Sequence, residues 1–185
     1  MSLDSDLSLL LRQSAGGDRA AFARLYQALE RPVYRFILSR LNDPHEAADI
    51  LNEVFMEIWR TAGRFEGRST VKTWIFGIAY RKTMDHFRRT RRVTTTDDIP
   101  EQVDESPDAL ACLAAAEEAV HVPHCLGTLS ADHRAAIELA FYEDLSYVEI
   151  ARITGTPEGT VKTRVFHAKR LLLHCLGHRM KGAVA

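Results

Sequence analysis

The residues best suited to chemistry lie in "EIARITGTPEGTVKTRVFHAKRL", residues 149 to 171. A short helix, a glycine-containing turn and a second helix carrying Lys162, Arg164, Lys169 and Arg170 can be read there. At about 100 degrees per residue, Val161, Val165, Ala168 and Leu172 share one narrow sector, which must be buried. Thr163, Phe166, His167 and Arg170 point the other way, while Lys162, Arg164 and Lys169 fall nearer the borders. An outward threonine can hydrogen-bond a base edge, Arg170 or Lys162 can pair with guanine, and Phe166 can lie against a thymine methyl. The border cations suit phosphates, which position a helix without reading sequence. This is the pattern of a helix-turn-helix whose second helix enters the DNA major groove. An ordinary amphipathic helix with solvated bases accounts less well for the outward Phe166, unless that residue serves a protein interface.

A polyanionic partner agrees with where the charges stand. The chain has 24 lysines and arginines against 25 acids, a net charge of −1, but the signs are segregated. Arg81, Lys82, Arg88, Arg89, Arg91 and Arg92 are opposed locally by Asp85 alone. Residues 93 to 118 hold acids and no base, and from Gly155 onward the bases face only Glu158. Two basic blocks thus flank an acidic one; a polyanion touching both is one explanation, and ordinary solvated helix ends are the other.

The elements that must carry these residues are helical, because apolar residues recur at three and four residue steps and period-two alternation is absent. The first stripe is Phe22, Leu25, Tyr26, Leu29, Val33, Phe36 and Ile37, with a kink or break expected at Pro32. Asp43 and Pro44 cap and open a second helix burying Ala47, Ile50, Leu51, Val54, Phe55, Ile58 and Trp59. After the loop "AGRFEGRST" a third helix starts near Thr70 and buries Val71, Trp74, Ile75, Ile78 and Ala79. "VTTTDDIPEQVDESP" reads as a flexible acidic linker, and "ALACLAAAEEAV" as the start of a second helical unit. In that unit Ser130, Ser146 and Thr156 with Pro157 each open a helix, the first carrying Ala135, Ile137, Leu139 and Phe141. The expected fold is all-α: two small helical domains over residues 12–92 and 119–178, joined by a linker over 93–118.

Several function classes fall away. No apolar run approaches the roughly 20 residues that span a bilayer. The acidic start "MSLDSDLSLLLRQ" is unlike a signal peptide, so a cytoplasmic location is expected. Cys112, Cys125 and Cys175 are odd in number and far apart, which argues against a disulfide framework and fits a reducing compartment. His121, His124 and Cys125, or His174, Cys175 and His178, could gather a transition metal, but neither set is a complete tetrahedral one at familiar spacing. No metal and no other cofactor is expected. Hydrolase, P-loop and dinucleotide motifs are absent, so neither is an enzyme. A stand-alone dimeric helix-turn-helix regulator accounts for residues 130 to 176, but leaves the first unit and its basic end without a purpose.

Both units together resemble the extracytoplasmic-function sigma factors of bacterial RNA polymerase. "EAADILNEVFMEIW" is similar to their region 2.2, "STVKTWIFGIAYRKTMDHFRR" to regions 2.3 and 2.4, and residues 128 to 172 to region 4, in the family order. The resemblance implies a non-catalytic initiation subunit that binds core polymerase through the β′ clamp helices and the β flap. It would recognise promoter −35 and −10 elements and help open the duplex. It also implies control by an anti-sigma factor, which can hold such a protein at the membrane without the protein itself inserting there. By this resemblance Lys162, Thr163, Arg164, Phe166 and His167, with Lys169 and Arg170 beside them, serve the −35 element. Arg64, Phe65, Arg68 and Ser69 of the loop, with Tyr80, Arg81, Arg88 and Arg89 of the helix after it, serve the −10 element and its melted strand. Asp49, Asn52, Glu53 and Glu57 lie off the apolar stripe and would meet core polymerase. Trp74 shares the stripe with Ile75 and Ile78 and is expected in the core. Two positions depart from the family pattern: Arg81 stands where asparagine is common, and Asn52 where glutamine is more usual.

Overall fold

A computed structural model describes residues 3–91 and 121–182. The expected linker, the helix expected from residue 109, Arg92 and Cys112 lie outside the described residues. All described elements are helices: α1 (Leu3–Ala15), α2 (Arg19–Leu41), α3 (Pro44–Thr61), a 3-10 turn (Ala62–Arg64), α4 (Val71–Arg91), α5 (His121–Gly127), α6 (Ala131–Phe141), α7 (Tyr147–Thr154) and α8 (Glu158–Gly182). The chain divides into two compact units, Met1–Thr95 with Val148–Gly155, and Thr96–Tyr147 with Thr156–Ala185. Among the described residues no helix is long and apolar enough to cross a membrane.

In the first unit the helices start where side chains can accept their unpaired N–H groups. Asp18 accepts from the backbones of Ala20 and Ala21, and Asp43 from those of His45 and Glu46 with Pro44 in the first turn. Asn42 ends α2 in the left-handed conformation at φ 55°, returning its N–H to the Leu38 carbonyl. The core is formed by Leu7 and Leu11 of α1 with the stripes of α2, α3 and α4. Phe22 meets Trp59 at 5.0 Å, Tyr26 meets Phe55 at 4.5 Å, and Phe36 meets Phe76 edge-on at 5.3 Å.

Two expectations change here. Of the kink or break expected at Pro32, the break does not occur: helix α2 continues through it. The lost hydrogen bond costs about 3 kcal/mol, but Leu29 and Val33 on either side are buried, at about 1.5–3 kcal/mol each, so continuing the helix wins. Trp74 is not in the core: it is half-buried, while Phe76, on the other face of α4, is fully buried against Phe36.

The second unit has its own core of Leu129, Ile137, Ala168, Leu172 and Leu176 around Cys125. Arg134, itself buried, donates to the carbonyls of Gly127 and Leu129 at the end of α5. Phe141, expected in this core, is instead 40% exposed. The expectation of unpaired cysteines is also corrected: Cys125 and Cys175 form a disulfide between α5 and α8, with Cα atoms 5.7 Å apart. Their separation of 50 residues looked unfavourable in the chain, yet α5 packs along α8 and brings the two together. The bond also removes both sulfurs from the two metal-ligand sets considered above. Closing a loop of this length should stabilise the unit by about 2–4 kcal/mol. Reduction, or Cys125→Ser, is therefore expected to lower the denaturant midpoint of the second unit while leaving that of the first unchanged, as residue-resolved hydrogen exchange would report.

Candidate nucleic-acid interface

Gly155, at φ 66°, turns the chain between α7 and α8, a backbone conformation that a side chain would resist. On α8, Val161, Val165, Ala168 and Leu172 are at most 3% exposed, so the opposite face is fixed outward. Phe166 is 57% exposed there beside exposed Thr163, and the His167 ring stands 5.7 Å from it. Thr163 donates its hydroxyl to the Gly159 carbonyl, leaving oxygen lone pairs to accept. Arg170 is half-buried with one terminal nitrogen out of solvent, its guanidinium 5.7 Å from the Phe166 ring, so it lies less outward than its helical position predicts. Tyr147, Lys162, Thr163, Val165, Phe166 and Lys169 line an open groove.

The cations of this helix differ in how they are held. Lys162 forms an exposed pair with Glu158 at 2.7 Å, and hydrogen bonding and charge from Glu158 raise its pKa. Arg164 is half-buried and bound to Asp132 at the start of α6. It therefore ties two helices together, a role that its place at the border of the face did not reveal. The Lys169 ammonium lies 4.7 Å from the Phe141 ring, so this exposed phenylalanine packs beside a cation of α8. His167 faces His133 at 6.1 Å, and His133 is in turn held by Ser130.

In the first unit the loop before α4 presents exposed Arg64 and Arg68, with Phe65 and Ser69 half-buried. Arg68 pairs with Glu66. Phe65 and Trp74 approach at 5.4 Å, so the tryptophan joins the loop as a partly exposed aromatic surface. It was hidden in the sequence because its spacing fits the apolar stripe; its position in the first turn of α4 was the available signal. Further along, Tyr80 is half-buried with the Arg40 cation 5.7 Å from its ring, Arg81 and Arg89 are exposed, and Arg88 pairs with Asp85.

On α3, Asp49, Asn52 and Glu53 are exposed and Glu57 is half-buried. Met56 stands among them at 50% exposure, an apolar residue that sequence periodicity did not single out. Lys82 of α4 reaches Glu57 at 3.1 Å and Glu53 at 3.3 Å. Burial pulls the pKa of Lys82 down, but hydrogen bonds and charge from Glu57 and Glu53 outweigh it and the net shift is upward. Helix α4 thus orients two of the acids on α3.

Known proteins share both halves of this arrangement. The family models Sigma-70 region 2 and Sigma-70, region 4 match residues 25–93 and 121–172. The ECF RNA polymerase sigma factor SigK of Mycobacterium tuberculosis (strain ATCC 25618 / H37Rv) is 34% identical over 178 residues, covering 94% of this chain and 95% of its own. SigK of Mycobacterium sp. (strain JLS) is 31% identical, with coverage of 94% and 92%. CnrH, solved in complex with the cytosolic domain of CnrY, superposes with a TM-score of 0.67 at 22% identity, covering 94% of this chain and 98% of that one. Sigma factor RpoE from Bartonella quintana, solved with the anti-sigma factor NepR, gives 0.66 at 23%, with coverage of 84% and 96%. At these identities the two structures establish a shared fold.

The different holds on Arg164 and Lys162 can be separated experimentally. Arg164→Ala is expected to destabilise the second unit by about 1 kcal/mol, through the lost ion pair and stem packing, whereas exposed Lys162→Ala leaves it unchanged in chemical denaturation.

Proposed function

This chain belongs to the extracytoplasmic-function sigma factors of bacterial RNA polymerase, and we propose from that membership how its residues divide the work. It is an alternative sigma factor that directs core polymerase to promoters. In our reading residues 12–92 bind core polymerase and handle the −10 element, 93–118 connect, and 119–178 read the −35 element and meet the β flap. The observation that carries the reading is the outward face of α8: a largely exposed Phe166 with Thr163, opposite a buried stripe. Such a face is costly to leave in water and suits the floor of a major groove.

Thr163, Phe166 and Arg170 are assigned to base edges, with His167 beside them. Lys162 and Lys169 take phosphates, and Arg164 keeps the helix in place while reaching the backbone with its remaining donors. Arg64, Phe65, Arg68 and Ser69 with Trp74 form the surface on which an unstacked −10 base rests. Tyr80, Arg81, Arg88 and Arg89 follow the melted strand. Asp49, Asn52, Glu53 and Glu57, centred on Met56, meet the basic β′ clamp helices, where the apolar residue gives the charged rim a buried centre. The subunit performs no covalent step itself. It works in the cytoplasm under an anti-sigma factor, which the fold shared with RpoE supports, and is held at the membrane only where that partner is anchored there.

The deciding experiment is transcription of a genomic DNA library by core polymerase with and without the protein, with new start sites mapped. Starts sharing two spaced upstream motifs are expected. Absence of new starts, together with tight binding of a palindromic duplex by the protein alone, would replace this reading with that of a dimeric regulator. On a defined promoter, Phe166→Ala or Thr163→Ala should reduce discrimination among −35 variants by about tenfold. Lys169→Ala should weaken all sequences alike and lower the salt slope by about one.

A further inference from the structure

Helix α4 begins directly after the loop that carries Phe65, Arg68 and Ser69, so whatever fixes its first turn also fixes the end of that loop. Its first N–H groups have no partners within the helix. Thr70 supplies one, its hydroxyl oxygen accepting from the Thr73 N–H at 3.1 Å. The Thr70 hydroxyl is engaged with Thr73, not with Val71, which is the first helical residue and fully buried. Its N–H is taken by a carboxylate oxygen of Asp4, 67 residues earlier, at 3.0 Å. Asp4 is half-buried in the first turn of α1, and buried Leu7 and Leu11 anchor that helix in the core. A carboxylate here both accepts a charge-assisted hydrogen bond and meets the positive end of the helix dipole.

We propose that Asp4 is a positioning residue for −10 recognition: by capping α4 from another helix it holds the loop and the Phe65 and Trp74 pair in the geometry that receives the −10 element. This rests on the reading of that loop as the −10 surface. Helix α1 is then more than packing, because it pins the glycine-containing loop at the end where α4 starts. Asp4 acts in this role through its bond to Val71.

The test uses the full chain with core polymerase on promoters carrying single-base changes in either element, and 2-aminopurine fluorescence in the −10 element to follow opening. Asp4→Ala should lower −10 opening by about fivefold to tenfold and flatten the −10 base preference. Core affinity and −35 preference should be unchanged. Asp4→Asn, whose amide oxygen can still accept from Val71, should recover most of both losses; a role limited to general stability would not restore base preference selectively. Unaltered −10 preference in Asp4→Ala, while Phe65→Ala alters it, overturns the proposal and leaves the loop assignment standing. An equal loss at every promoter together with weaker core binding also overturns it. If neither Phe65→Ala nor Arg68→Ala changes −10 preference, the loop assignment fails and the proposal with it.

Discussion

Burial of Val161, Val165, Ala168 and Leu172 on α8 decides which way every other side chain of that helix faces. With 3.6 residues per turn, one stripe held against a core leaves no freedom to rotate the helix about its axis. Phe166 is exposed for this reason and not because its own surface prefers water. The same constraint acts in α3, where Ala47, Ile50, Val54 and Ile58 are buried and Asn52, Glu53 and Met56 consequently stand outside. Both candidate surfaces are by-products of packing, so their geometry is as rigid as the cores behind them.

The ends of the helices do a second kind of positioning. Asp18, Asp43 and Ser130 satisfy their own helices within three residues, and such caps fix where each helix starts but nothing at a distance. The start of α4 differs because Thr70 and Asp4 share the task, one local and one remote. A remote cap couples two helices through a single directional bond, which tolerates less displacement than apolar contact does. It is found beside a loop with Gly67 at φ 69°, where local sequence alone imposes little order.

Much of this was legible in the sequence, and what was not has physical reasons. The stripes of α2, α3 and α8 follow from spacing, and the Asp43 and Ser130 caps from residue type, because both depend on neighbours along the chain. Remote pairings do not. The approach of Cys125 to Cys175 and of Asp4 to Val71 depends on how helices pack, and no local pattern encodes that. Trp74 and Phe141 were misplaced for a different reason: helical periodicity gives a direction, not a depth. Near a helix end the same direction can lead into a loop, as it takes Trp74 to Phe65. Pro32 shows that a local penalty is only a prior, since flanking burial overrode it.

Counting cations therefore says less about nucleic-acid binding than asking what each one must give up. Contact with a phosphate releases counterions and is favourable only if the cation is not already engaged on better terms. Lys162 would exchange an exposed pair with Glu158, a pairing that water and salt already weaken. Arg164 would have to abandon Asp132 in a half-buried setting, so its planar fork is better used to serve both partners with different donors. Lys169 keeps its contact with Phe141 through the ring face while its ammonium still has donors to spare. Three cations that look equivalent in the sequence thus have three different availabilities, and the order follows from burial and pairing rather than from charge.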